Sequence, residues 1–166
     1  ITFHAPNNNG SFLQAYALQK YITTHFDNVE NEIIDFQPES QQQQYAIFRK
    51  IHSKKDILRN LISFWHYKAL SKRFLAFSEM REKYLKMTKR CTTTEEAIKI
   101  AGNYDLVIAG SDQIWNTFSN NGKEPGYYLD FGNDQTKRFS YAASLATNSI
   151  KDECKDFIKE KLAKFS

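Results

Sequence analysis

In Asp105-Leu106-Val107-Ile108-Ala109 an acidic residue opens an unbroken apolar row, and the chain then turns at once into Gly110-Ser111-Asp112-Gln113-Ile114-Trp115-Asn116. A short apolar run ended by glycine reads as a buried β-strand. Ligands of open α/β sheets sit beyond the carboxyl ends of the strands, where this polar segment falls.

The rest of the chain supplies the alternation that such a sheet needs. Ile1 to Phe3 reads as the end of a first strand that looks clipped, followed by a loop of turn formers, Ala5-Pro6-Asn7-Asn8-Asn9-Gly10. Ser11 is the expected N-cap of a helix whose Ala15, Leu18, Ile22 and Phe26 share one face, closed at Asp27-Asn28. Glu32 to Phe36, ended by Pro38, reads as a second strand, so residues 1–37 form a β-loop-α-β unit with parallel pairing.

The glutamine run Gln41 to Gln44 leaves the sheet as a loop or helix start, and a helical insert over about residues 40–90 follows. There Asp56 is the expected cap of a helix bearing Leu58, Leu61 and Trp65, and Leu70, Phe74, Phe77, Met80 and Tyr84 continue the stripe after a break near Tyr67. Thr93-Thr94-Glu95-Glu96 introduces a short helix to Ala101. Tyr127 to Phe131 reads as a weaker strand or turn, Arg138 to Ala143 as a strand, and about Lys151 to Phe165 as a final amphipathic helix. The expected fold is α/β: a doubly wound, Rossmann-like parallel sheet with an α-helical insert, in a single domain over residues 1–166.

Between Arg49 and Arg90 stand 13 Lys and Arg against Asp56, Glu79 and Glu82, so the insert is basic although the chain carries only +4. The excess is either a solvated helix face or a surface for an anionic partner, a phosphate-bearing substrate or an anionic membrane. No nucleic-acid motif accompanies the charge, so nucleic acid is not an expected partner. Cys91 and Cys154 have no Cys or His at metal-ligand spacing, which argues against zinc, and no run is long and apolar enough for a membrane span. Cytoplasmic residence, at the inner face of a membrane if the insert docks there, is the expectation.

Two loops carry the chemistry. Asn7-Asn8-Asn9-Gly10-Ser11 joins a strand to a helix and can present backbone N–H groups to phosphate or sugar oxygens; it lacks both the Walker lysine and the three-glycine dinucleotide pattern. In Ser111 to Asn116 a carboxylate, amides, a hydroxyl and an indole match the needs of a sugar, with Asp112 the candidate proton acceptor; alternatively Asp112 caps a turn and Trp115 fills the core. Ser140-Tyr141-Ala142-Ala143-Ser144 ends a strand in small residues that let a ligand or a backbone approach. His4 ends the first strand beside the Asn loop, within reach of the cleft or satisfied structurally.

The Asn loop leading into Leu13-Gln14-Ala15-Tyr16-Ala17-Leu18-Gln19, the stretch Tyr104 to Asn116, and Ser140 to Ser144 together resemble the polysaccharide pyruvyl transferase family, across essentially the whole chain. Asn9 stands where that family commonly has an aromatic residue, and Leu145-Ala146 where it usually has Phe-Gly. The resemblance implies the N-terminal half of a longer protein, arranged like a two-domain glycosyltransferase, with the C-terminal domain absent here. It implies transfer of pyruvyl from phosphoenolpyruvate, as co-substrate and without a cofactor or metal, to two hydroxyls of a sugar or lipid-linked oligosaccharide in surface or exopolysaccharide biosynthesis. This half is then the acceptor-binding one and inactive alone: Asp112 the catalytic residue, with Asn8, Gly10 and Gln14 on one side, Ser111, Gln113, Trp115 and Asn116 on the other, and Tyr141 and Ser144 completing the site. A face built for a missing domain invites homodimerisation. The alternatives are a nucleotide-sugar glycosyltransferase-like enzyme on the same scaffold and a non-catalytic carbohydrate-binding module.

Overall fold

The computed structural model describes residues 1–119, 123–130 and 136–165. Five helices lead in: α1 (Asn9–His25), α2 (Glu39–Tyr45), α3 (Lys54–Trp65), α4 (Tyr67–Tyr84) and α5 (Thr94–Ala101). Strand β1 (Leu106–Ala109), a 3-10 turn (Pro125–Tyr128), strand β2 (Lys137–Ser140), a second 3-10 turn (Asp152–Cys154) and α6 (Lys155–Leu162) follow. The class is mixed α/β.

β1 and β2 pair in parallel, from Leu106 opposite Lys137 to Ala109 opposite Ser140, and they alone form the described sheet. The wider doubly wound sheet expected from sequence is reduced to this pair and to single parallel bridges, Ile33 with Met87, Phe36 with Cys91 and Asp112 with Ala143. The interruption has a local cause. Ile33 N–H donates to the Lys86 carbonyl (2.9 Å) and Gln37 N–H to the Cys91 carbonyl (2.9 Å), as in a parallel ladder. Between these rungs Asp35 N–H turns to the Thr88 hydroxyl (3.1 Å) and Phe36 N–H folds back to the Ile34 carbonyl (2.8 Å), which kinks the segment. The N-terminal segment lies beside β1, with Ile1 N bonded to the Ile108 carbonyl (2.6 Å) and Gly110 N–H to that of Ile1 (2.7 Å). The segment 32–36 therefore finds its backbone partners in residues 86–91, not in residues 1–3 as the β-loop-α-β reading had it.

Helix starts follow side-chain chemistry. Asn8, not Ser11, caps α1: its Oδ1 accepts from Ser11 N–H at 2.8 Å. Ser53, not Asp56, caps α3, while Asp56 Oδ2 accepts from the Ser53 hydroxyl (2.7 Å) and His52 N–H (3.1 Å). Thr93 and Glu96 form the capping box of α5. The Tyr127 region is a 3-10 turn, its expected end Phe131 lying outside the described residues, and the last helix splits into a 3-10 turn and α6.

The main core gathers Phe36, Ile114, Tyr127, Tyr128 and Leu129, all 0% exposed, around β1. β1 buries one face only, Val107 and Ala109, while Leu106 is exposed and Ile108 half-buried. A smaller cluster, Phe12, Ala15, Ile33 and Leu85, sits under α1. The apolar stripe of α3 does not enter either core: Leu58, Leu61 and Trp65 are exposed, Trp65 by 80%. Among the described residues no helix is long and apolar enough to cross a membrane.

Candidate functional site

The three polar segments, far apart in sequence, meet at Asp112. Its Oδ2 accepts from the Ser11 hydroxyl at the start of α1 (3.1 Å), and its carbonyl accepts from Ser144 N–H (3.0 Å) beside the parallel bridge to Ala143. Its Oδ1 accepts from Gln113 N–H (2.7 Å), closing a turn on the carboxylate. Asp112 has φ 99°, in the region that favours glycine. Such a backbone costs on the order of 1–3 kcal/mol and persists only where neighbouring contacts over-determine it, as they do here.

A relay fixes the same junction from beneath. Gln14 Nε2 donates to the Thr2 hydroxyl (2.9 Å) and to the Ser11 carbonyl (2.9 Å), and the Thr2 hydroxyl donates to the Ser111 carbonyl (2.7 Å). Gly110 is what allows the approach: a Cβ there would lie 2.9 Å from Thr2 Cβ and 3.3 Å from the Ile1 carbonyl oxygen. Gln14 therefore braces the site from inside, with its amide already engaged.

The other expected residues divide. Asn8, Gly10 and Gln113 are exposed at the surface of the junction, and Ser111 is partly open. Asn116 Nδ2 donates to Gln113 Oε1 (3.1 Å) and its Oδ1 accepts from Phe118 N–H (2.9 Å), so it stabilises its own turn. Tyr141 and Ser144 are exposed beyond β2. Trp115 is core: 9% exposed, its indole N–H donates to the Tyr127 carbonyl (2.9 Å), and its ring stacks on Tyr128 at 5.8 Å with Phe165 edge-on. That ring is thus held in the core, and the exposed residues among those expected are Asn8, Gly10, Gln113, Tyr141 and Ser144.

His4 is structural as well. It is fully buried, with Nδ1 3.0 Å from the Thr2 carbonyl and Nε2 2.8 Å from Asp35 Oδ1. Both ring nitrogens are thus engaged within the protein. Burial pushes the Asp35 carboxyl up. The hydrogen bonds from His4 and Gln37 and the charges of His4 and Arg90 outweigh that and hold it at about 2. Cys91 and Cys154 are buried free thiols, and burial, with the charges of Asp35 and Glu96, pushes the Cys91 thiol up to about 11. A group held protonated in this way is no nucleophile. Among the described residues, no three His, Cys, Asp or Glu side chains gather as a metal site would require.

Sequence reasoning missed the arginines that hold the Asn loop. Arg81, 7% exposed, donates from Nη1 to the Ala5 carbonyl (3.0 Å) and to Asn7 Oδ1 (3.2 Å), and Arg73 Nη2 donates to the Asn7 carbonyl (2.5 Å). The basic density of the insert was visible in the sequence, but nothing in its spacing marked which cations turn inward. Next to this loop the insert encloses a cleft of about 730 Å³, lined by Asn7, Asn8 and Tyr45 among others.

The fold and site thus define an α/β protein whose polar groups converge on one carboxylate at the carboxyl end of a parallel strand pair. The family model for polysaccharide pyruvyl transferase matches residues 8–166. The chain belongs to that family. No curated protein and no solved structure matches it.

Proposed function

We propose that this chain forms the acceptor-binding part of an enzyme that transfers pyruvyl from phosphoenolpyruvate to two hydroxyls of one sugar. The observation that carries the reading is the meeting of the three polar segments at Asp112, in a chain matched to the family over residues 8–166.

Ketal formation must balance as follows. A proton adds to the methylene carbon of phosphoenolpyruvate, leaving a cation at the adjacent carbon, and one sugar oxygen attacks it. The second hydroxyl attacks the same carbon as its bond to phosphate breaks. Both hydroxyl protons are released, one making up for the proton consumed and one leaving with phosphate. Each attacking hydroxyl becomes a better nucleophile if a carboxylate accepts its proton. Asp112 fills that role: Ser11 occupies one site on Oδ2, and a carboxylate oxygen accepts more than one hydrogen bond. Asn8, Gln113 and Ser144 orient the sugar around it.

The incomplete bridges between residues 33–36 and 87–91, the pairing of Ile1 beside β1, and β2 on its other side all run parallel. They fit a doubly wound, Rossmann-like sheet in which Asp112 lies beyond the strand ends.

The test is phosphate release from phosphoenolpyruvate by the full-length protein with a panel of nucleotide- and lipid-linked sugars. Asp112→Asn, which keeps the size and the acceptor for Gln113 N–H, is expected to lower kcat by 10²-fold or more, the order of a lost general base, with an unchanged melting temperature. Wild-type turnover by this variant refutes the role. Release of a nucleoside diphosphate in place of phosphate moves the protein to glycosyl transfer.

A further inference from the structure

The cleft beside the Asn loop has walls of two kinds. Leu58 and Ile62 of α3 provide apolar surface, and Arg49, Lys55, Arg59 and Arg73 provide positive charge. No carboxylate lines it among the described residues. Asp56, next in sequence to Lys55, is engaged with Ser53 and His52.

Two of these cations are held without full satisfaction. Arg49 Nε and Arg59 Nη1 are buried N–H groups with no hydrogen-bond partner, although Arg49 Nη2 donates to the Gln44 carbonyl (2.5 Å) and Arg59 Nη2 to that of Ala46 (3.5 Å). A buried, unmatched donor on a charged group costs more than a neutral one. Burial, then the neighbouring charge of Arg49, push the Arg59 guanidinium down and outweigh the opposing charge of Asp56, so like charges are crowded here. Crowded guanidinium groups lining a cleft are neutralised by one multiply charged oxyanion, which guanidinium binds through paired hydrogen bonds.

We propose that this cleft is a binding site for the phosphoryl group of an organic phosphate, held by Arg49, Arg59, Arg73 and Lys55, with its apolar wall against the rest of the molecule. The cleft is linked to the candidate catalytic carboxylate through the start of α1: Asn8 in the cleft wall accepts from Ser11 N–H (2.8 Å), and the Ser11 hydroxyl donates to Asp112 Oδ2 (3.1 Å). The phosphate belongs either to phosphoenolpyruvate or to a phosphate-linked acceptor. That choice rests on the pyruvyl-transfer reading, whereas the anion site itself does not.

The experiment is titration calorimetry of the full-length protein with inorganic pyrophosphate, on wild type, Arg49→Gln, Arg59→Gln and Lys55→Gln, with Lys99→Gln on α5 as the control. Lys55 is exposed, so its loss leaves the fold intact even where an arginine variant does not. Expected are saturable binding that weakens as salt rises, affinity about tenfold lower for each arginine variant and a few-fold lower for Lys55→Gln, and no change for Lys99→Gln. Absence of binding to wild type at millimolar pyrophosphate, or equal affinity in Lys55→Gln and Lys99→Gln, overturns the proposal. Displacement of pyrophosphate by phosphoenolpyruvate assigns the cleft to the donor. Displacement by farnesyl diphosphate or uridine diphosphate alone assigns it to the acceptor, and both upholding outcomes leave the site in place. Cleft-dependent pyrophosphate binding in a protein that releases no phosphate from phosphoenolpyruvate upholds the site and refutes pyruvyl transfer; release without cleft dependence does the reverse.

Discussion

Replacing Asp35 by Asn tests whether the buried polar cluster behind the site holds the fold by charge. The Asp35 side chain is 6% exposed and receives His4 Nε2 at 2.8 Å, Gln37 Nε2 at 2.6 Å and Arg90 Nε at 3.1 Å. Its carboxyl is held at about 2, below the ordinary 3.8. A folded-state pKa below the unfolded one contributes stability that is complete above 3.8 and is lost as pH falls from about 4 towards 2. At 1.36 kcal/mol per pKa unit the contribution is about 2 kcal/mol, once screening at the exposed Arg90 partner is allowed for. Asn keeps the shape and resembles the protonated acid. Urea unfolding of both proteins between pH 6 and pH 2.5 is therefore expected to show wild type more stable by about 2 kcal/mol at pH 6, with the gap closing as the carboxylate titrates. A gap of the same size at every pH means that geometry rather than charge carries the effect, and refutes the reasoning.

Two further substitutions probe the backbone. Gly126→Ala puts a Cβ 2.5 Å from Phe36 Cε1 in the centre of the core and is expected to destabilise by about 1–3 kcal/mol in chemical denaturation. Ala146 has φ 57° and is exposed, so Ala146→Gly is expected to raise stability by about 1 kcal/mol and the melting temperature by a few degrees, an unchanged melt refuting the strain at that position.

Ala146 also explains one departure noted from the sequence, since it stands where the family usually has glycine and its backbone has the left-handed φ that glycine adopts freely. The helices were legible because their signals are local: the capping box at Thr93 and the break at His66 are written in a few neighbouring residues. The second strand was less so. Glu32 to Phe36 has the composition of a strand, but its fate was decided by the Thr88 hydroxyl, 53 residues from Asp35, which draws away a backbone N–H. The inward turn of Trp115 was likewise set from a distance, by a Tyr127 carbonyl and a Tyr128 ring placed to receive it. Polar composition marked the site segments; only the folded chain distinguishes side chains that brace the site, such as Gln14, from those open to a ligand, such as Gln113.

The bracing bears directly on chemistry. A carboxylate that must accept a proton from a weakly acidic hydroxyl gains most when its position is fixed before the substrate arrives, since the cost of ordering it has already been met in folding. Asp112 is fixed from three directions: by Ser11 at the side chain, by Ser144 at the carbonyl, and by the Thr2 hydroxyl at the preceding carbonyl. The Asn loop carrying Ser11 is in turn held by Arg73 and Arg81 from α4. The helical insert thus supports the loop that positions the carboxylate and forms the cationic wall beside it. Under the proposed reading, Arg81→Gln, a substitution in α4 outside the cationic wall, is expected to loosen the loop and lower turnover without touching the substrate.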